Sequence, residues 1–142
     1  MSGNGWTASF PAGWQLERGS RRVAARPGEG AESLAVATFP LRRAFRPDLW
    51  DEAVGELDVV ARDLAESLSP LAQLSNGRNT DVSGRRARVY EIRYERSGIP
   101  LVERVAFLFD RRREYQLTCR IDERNPERGE SACSELFASF SV

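Results

Sequence analysis

Three runs decide the fold class: Arg88-Val89-Tyr90-Glu91-Ile92-Arg93-Tyr94, Leu101 to Phe109 (LVERVAFLF), and Tyr115-Gln116-Leu117-Thr118-Cys119-Arg120-Ile121. Successive side chains of a strand point to opposite faces, so Tyr90, Ile92 and Tyr94 share a face in the first run. Leu101, Val105, Phe107 and Phe109 align in the second despite Glu103. In the third, Tyr115, Leu117, Cys119 and Ile121 alternate with Gln116, Thr118 and Arg120, the pattern of a half-buried strand. Ser97-Gly98 and the polar stretch Asp110 to Arg113 separate the runs and are short enough for tight turns. Three strands so joined predict an antiparallel meander.

Downstream, Pro126 opens a short helix in which Cys133, Leu136 and Phe137 fall on one side, and Phe140 and Val142 close the chain. Upstream, Asn76-Gly77 and Ser83-Gly84 mark turns around a polar stretch. Before them Trp50, Ala53, Val54, Leu57, Val60, Ala61, Leu64 and Leu68 recur at three- and four-residue steps, the apolar stripe of a long helix. Asp48 is the expected N-cap, with Asp51 able to reach back to free backbone donors, and Ser69-Pro70 ends the helix. Earlier still, Trp6 to Phe10, Arg22 to Arg26 and Ser33 to Phe39 read as strands bounded by Pro-Gly turns. In the last of these Leu34, Val36 and Phe39 are assigned to the apolar side. The order β-β-β-α-β-β-β-α predicts an α+β fold, a twisted antiparallel sheet with one long and one short helix packed on its apolar face. At 142 residues the chain, 1–142, is expected to form a single domain.

Composition narrows the chemistry. Twenty-one acidic residues balance 21 basic ones, so the bulk charge points to neither nucleic acid nor anionic membrane. Every basic residue is arginine and there is no histidine. That excludes Ser-His and Cys-His dyads, histidine-ligated zinc, Schiff-base lysines and the P-loop lysine. Arginine stays protonated and cannot replace them as a base. The start Met1-Ser2-Gly3-Asn4-Gly5 has neither a charged nor an apolar leader region, and no run approaches the roughly 18 apolar residues of a membrane span. As written the chain reads as cytoplasmic; an exported protein already trimmed of its leader would read the same.

Phe10-Pro11-Ala12-Gly13-Trp14 resembles the F-x-P-x-G-W opening of the PsbP/Mog-like fold family, which includes small bacterial DcrB-like proteins. Val82-Ser83-Gly84-Arg85-Arg86-Ala87 is similar to that family's v-x-G-x-x-a entry into the meander. Tyr115-Gln116-Leu117 and Leu136-Phe137-Ala138-Ser139-Phe140 resemble its y-x-l strand and its SF ending. The resemblance covers nearly the whole chain and implies an α/β/α-like sandwich and, usually, a non-enzymatic role. Family members include a photosystem II extrinsic subunit, a Ran-GTPase-binding protein and chaperones of type VI secretion effectors. They share a scaffold and not a site, so no functional residue carries over.

Among candidate sites, Cys119 lies on the inward face of the last strand and Cys133 on the inward face of the helix that should cover it. Two geometries stay open, a disulfide across that interface or two small buried thiols. Arg42, Arg43 and Arg46, just before the long helix, are anion-binding candidates, although Asp48, Asp51 and Glu52 compete for the same helix end. Arg111-Arg112-Arg113 resembles a phosphate grip and equally a solvated hairpin tip. Asp122, Glu123, Asn125, Glu127 and Glu130 invite a calcium reading, but Arg124 and Pro126 break the EF-hand template. Glu91, Glu95 and Glu103 with Arg93 and Arg104 are expected to pair across strands on an exposed sheet face. Trp6, Trp14 and Trp50 are expected in the core or at the sheet ends.

The expectation is a non-catalytic protein-interaction module, adaptor- or chaperone-like, with a protein partner or a homodimer. It has no catalytic residue, cofactor, metal site, nucleic-acid partner or membrane span. The alternative is a small-molecule or lipid-binding domain with its pocket between the long helix and the sheet. An open apolar groove favours the first, and an enclosed cavity with converging polar groups favours the second.

Overall fold

A computed structural model describes residues 1–142. The first half contains strands β1 (Ser2–Gly3), β2 (Trp6–Thr7), β3 (Gln15–Arg18), β4 (Arg22–Arg26) and β5 (Ser33–Pro40), then a single 3-10 turn, Pro47–Leu49. Helix α1 (Trp50–Leu68) leads into β6 (Gln73–Leu74), β7 (Arg78–Val82), β8 (Arg85–Arg96), β9 (Ile99–Asp110) and β10 (Arg113–Asp122), and α2 (Glu127–Ser139) follows. Eight strands form one sheet in the order β3-β4-β5-β10-β9-β8-β6, with β7 also on the outer edge of β8. Every pairing is antiparallel. The architecture is α+β. Two meanders are stitched together where β10 pairs with β5, for example Leu117 opposite Val36.

The meander formed from residues 85–122 obeys the alternation in its sequence, but both faces of the sheet are covered. On β9, Val105 and Phe107 pack with Leu57 of α1, whereas Ala106 and Leu108 join the cluster that holds Leu136 of α2. The near-continuous apolar run VAFLF is therefore a strand buried on both sides. The single apolar face expected from the alternation is corrected, and the α/β/α-like layering implied by the resemblance is observed: α1 and α2 lie on opposite faces. The same alternation displaces Phe39 from Leu34 and Val36. Those two belong to the α2-side core, and Phe39 points the other way and is 37% exposed.

Three further differences have local causes. Asp48 sits inside the 3-10 turn and pairs with Arg46 at 3.4 Å, so α1 starts at Trp50 behind Leu49 with no side-chain cap. The polar stretch between the two turn signals is strand β7, whose exposed residues Arg78, Asn79 and Asp81 carry no apolar period. The first strand is only Trp6–Thr7, paired with Ser2–Gly3 in a separate two-stranded ribbon.

Helix α2 presses close to β10. A β-carbon added at Gly129 would lie 3.1 Å from the Ile121 backbone, so any larger residue there would have to push α2 and β10 apart by a few tenths of an ångström. Cys119 and Cys133, with Cα atoms 5.6 Å apart, are joined as a disulfide in this interface. Arg104 adds a polar link, reaching Glu91 on the neighbouring strand and Glu130 on α2, each at 2.8 Å. Arg128 of α2 grips the buried Glu32 bidentately, at 2.7 and 3.0 Å.

Candidate functional site

The chain between β5 and α1 forms a strap across one end of the sheet. It is tied to the β9–β10 turn by two backbone hydrogen bonds: Leu41 N–H donates to the Arg112 carbonyl at 2.7 Å, and Phe45 N–H to the Arg111 carbonyl at 2.6 Å. Phe45 stacks on Phe109 with ring centroids 4.6 Å apart, and Trp50 meets both rings edge-on. This aromatic trio divides the end of the molecule into two clefts that share Ala44, Phe45 and Phe109.

The first cleft, about 330 Å³, lies between the strap, α1 and β10. Leu41, Phe45, Leu49 and Val60 give it apolar walls. Glu114 stands at its base, in register between Phe39 of β5 and Phe109 of β9. That carboxylate is half-buried and has neither a hydrogen bond nor an ion pair. Desolvation pushes its pKa up, and the neighbouring charge of Glu56 on α1 pushes the same way. Outside the cleft, Phe39 and Val59 leave further apolar surface exposed.

The second cleft, about 530 Å³, lies between the strap, Trp50 and the turn that joins β7 to β8. Arg85, Arg86 and Arg111 line it together with Asp110. Arg85 donates to Asp110 at 2.9 Å, and the Arg86 guanidinium carbon lies over the Trp50 ring, 4.6 Å from its centroid.

The other buried carboxylates serve the architecture. Glu103 accepts from the Tyr94 hydroxyl at 2.7 Å and from Arg120, and burial drives the Tyr94 phenol far above its ordinary range. Tyr90 hydrogen-bonds Asp58 of α1, and desolvation raises its pKa to about 12. Arg128 holds Glu32 below the usual carboxylate range, as Arg124 does Asp122 and Arg104 does Glu130.

The residues singled out in the sequence divide accordingly. Arg42 and Arg43 line the first cleft, Arg43 reaching Glu52 at 3.7 Å, whereas Arg46 turns to Asp48 and does not join them. Of Arg111, Arg112 and Arg113, Arg111 lines the second cleft, and Arg112 donates to the Arg42 carbonyl at 3.2 Å. The acidic loop has taken arginine partners: Glu123 binds Arg93, Asp122 binds Arg124 and Glu130 binds Arg104. The cross-strand pairing holds for Glu91 with Arg104, although that pair is half-buried beside α2 and not on an exposed face, and is corrected for Glu103, which is buried against Arg120 on the α1 side. Trp6 and Trp50 are buried and Trp14 half-buried. Sequence reasoning missed Glu114, Phe45 and the Arg86–Trp50 stack. Extending the β10 alternation by one step would have placed Glu114 on the face of Gln116, Thr118 and Arg120.

No protein-family model matches the sequence, and no curated protein matches it. Solved structures do. The solution structure of cyanobacterial PsbP (CyanoP) from Synechocystis superposes with a TM-score of 0.72 at 18% identity, covering 97% of this chain and 86% of that one. The fold is that of PsbP. LpqN of Mycobacterium tuberculosis, described as involved in cell envelope biogenesis, shares this PsbP fold with a TM-score of 0.56 at 12% identity, over 96% of this chain and 82% of its own. A Bacteroides thetaiotaomicron crystal structure matches with a TM-score of 0.62 at 9% identity over 97% of this chain. The chain spans 45% of that protein's length. No helix of this PsbP-fold chain is long and apolar enough to cross a membrane.

Proposed function

We propose that the chain is a non-catalytic protein-interaction module that docks its partner in the first cleft. The observation that carries this reading is an open groove with apolar walls and an unpaired carboxylate, Glu114, at its base. A groove of this shape suits a segment of a partner that presents apolar side chains and one basic group. The basic group would meet Glu114 and Glu56, relieving the desolvation of Glu114 and the repulsion it receives from Glu56. The small-molecule alternative needs a chamber between α1 and the sheet. Leu57 and Ala61 fill the middle of that interface against Tyr90, Val105 and Phe107, which leaves the first cleft, at its strap end, as the space such a ligand would have.

A second copy of the chain is the other occupant with specific support. The cleft carries both signs, Arg42 and Arg43 on the strap and Glu52 and Glu56 on α1, and a two-fold axis brings such a surface onto its complement. An oxidising compartment fits the Cys119–Cys133 bond, and LpqN, of the same fold, is concerned with the cell envelope.

The test is Val60→Asp and Glu114→Arg, each followed by light scattering on a sizing column and by co-purification from the native host. Both variants should keep the wild-type circular dichroism and lose the dimer or the bound partner. Unchanged assembly in both variants refutes the cleft as the docking surface.

A further inference from the structure

We propose that the second cleft is a binding site for a phosphate monoester carried on an apolar or aromatic group. This inference does not depend on which partner occupies the first cleft. Three arginines face one carboxylate there, and Asp110 is already engaged by Arg85 at 2.9 Å. Arg86 and Arg111 are left with every guanidinium donor unengaged. The stack of Arg86 on Trp50, at 4.6 Å, occupies one face of the guanidinium and leaves its edge donors for an oxyanion. The surplus of two positive charges matches the roughly −1.5 to −2 of a phosphate monoester at neutral pH better than a singly charged carboxylate. Guanidinium forks also meet phosphate oxygens bidentately.

Trp50, 4% exposed, lines the same cleft and gives the Arg86 guanidinium its platform. Its indole N–H is buried with no acceptor. The remaining walls, Phe45, Pro47 and Phe109, suit the apolar part of the ligand. At about 530 Å³ the cleft lies within the range of small-molecule sites.

Nuclear magnetic resonance titrations with inorganic phosphate and with phenyl phosphate test the assignment. Saturable shifts should centre on the Trp50 indole N–H and the backbone of Arg86 and Arg111, with phenyl phosphate binding more tightly. Arg86→Gln and Arg111→Gln should each weaken phenyl phosphate at least about tenfold, the value of one charge-assisted contact. Arg112→Gln, on the same turn but off the cleft, should change it less than about twofold. Phosphatidylcholine vesicles doped with phosphatidic acid separate the two sources of this chemistry. Co-sedimentation lost in Arg86→Gln identifies a lipid headgroup, and absence of co-sedimentation beside tight phenyl phosphate binding identifies a soluble ligand. Equal losses in the Arg86, Arg111 and Arg112 variants, or shifts spread over all exposed arginines, mean non-specific charge and overturn the proposal. So does a titration with no saturable shift at Trp50.

Discussion

Reduction of the Cys119–Cys133 bond should lower stability by an amount that follows from the loop it closes. The two residues are 14 apart in sequence. Chain-entropy arguments then give about 3 kcal/mol at 25 °C, because the cross-link removes freedom mainly from the unfolded chain. For a 142-residue chain the entropy of unfolding is about 0.3 kcal/mol per kelvin, so the melting temperature should fall by about 10 °C. Both sulfurs lie in the α2–β10 interface and are fully buried, so a reductant reaches them only through unfolding. The assay is therefore urea denaturation of protein refolded with and without reductant. Reduction leaves two small thiols in the same space, which spares the measurement a cavity penalty. The reduced form should show a lower midpoint and a slope no smaller than the oxidised form, since its unfolded state is less constrained. Coincident curves, or two thiols titratable in air-oxidised protein after denaturation, would refute the reasoning.

Glu114→Gln should raise stability at pH 7. Its folded-state pKa is raised, so the carboxyl favours folding below its unfolded pKa of about 4.3 and opposes it as pH climbs through the folded value; the gain should vanish near pH 4 in a pH series of thermal melts. Glu32, Asp122 and Glu130 act in the opposite direction: their stabilisation is present above the unfolded pKa and lost as pH falls through their lowered values, so wild-type melts should drop below about pH 4. Glu103→Leu leaves Arg120 and Tyr94 facing a vacated site and should cost about 3 kcal/mol in urea, whereas adding Arg120→Met should recover much of the loss. Gly129→Ala should destabilise despite a helix-propensity gain of about 1 kcal/mol, because the new methyl meets the Ile121 backbone at 3.1 Å; a higher melting temperature would show that α2 can shift.

The meander and α1 were legible because burial leaves a period in the chain: two for Tyr115, Leu117, Cys119 and Ile121, and three to four for Trp50, Leu57, Ala61 and Leu64. The opposition of the two helices carried no such period and was implied only by the family resemblance. Nothing in the α2 sequence says which side of the sheet it returns to, and the sign lay only in β9, where both parities are apolar. Strand β7 escaped because an exposed edge strand has no apolar face to reveal it. The site was the least legible part. Phe45 reaches Phe109 only after the strap has folded back onto the β9–β10 turn, and Arg86 reaches Trp50 from another strand. Such encounters belong to tertiary structure, and single residues in loops announce neither. The cysteine pair was readable as a contact because each residue already carried a face assignment from its own element.

The docking surface is tested most directly by site-specific photo-crosslinking in the native host. One protein carries benzoylphenylalanine at Val60, beside the first cleft, and a second carries it at Glu135, on the exposed side of α2. The account predicts one discrete adduct from position 60, either a second copy or a single partner, which disappears when Glu114→Arg is added and has no counterpart at position 135. Adducts of equal yield from both positions, or an adduct at position 60 indifferent to Glu114→Arg, would contradict it.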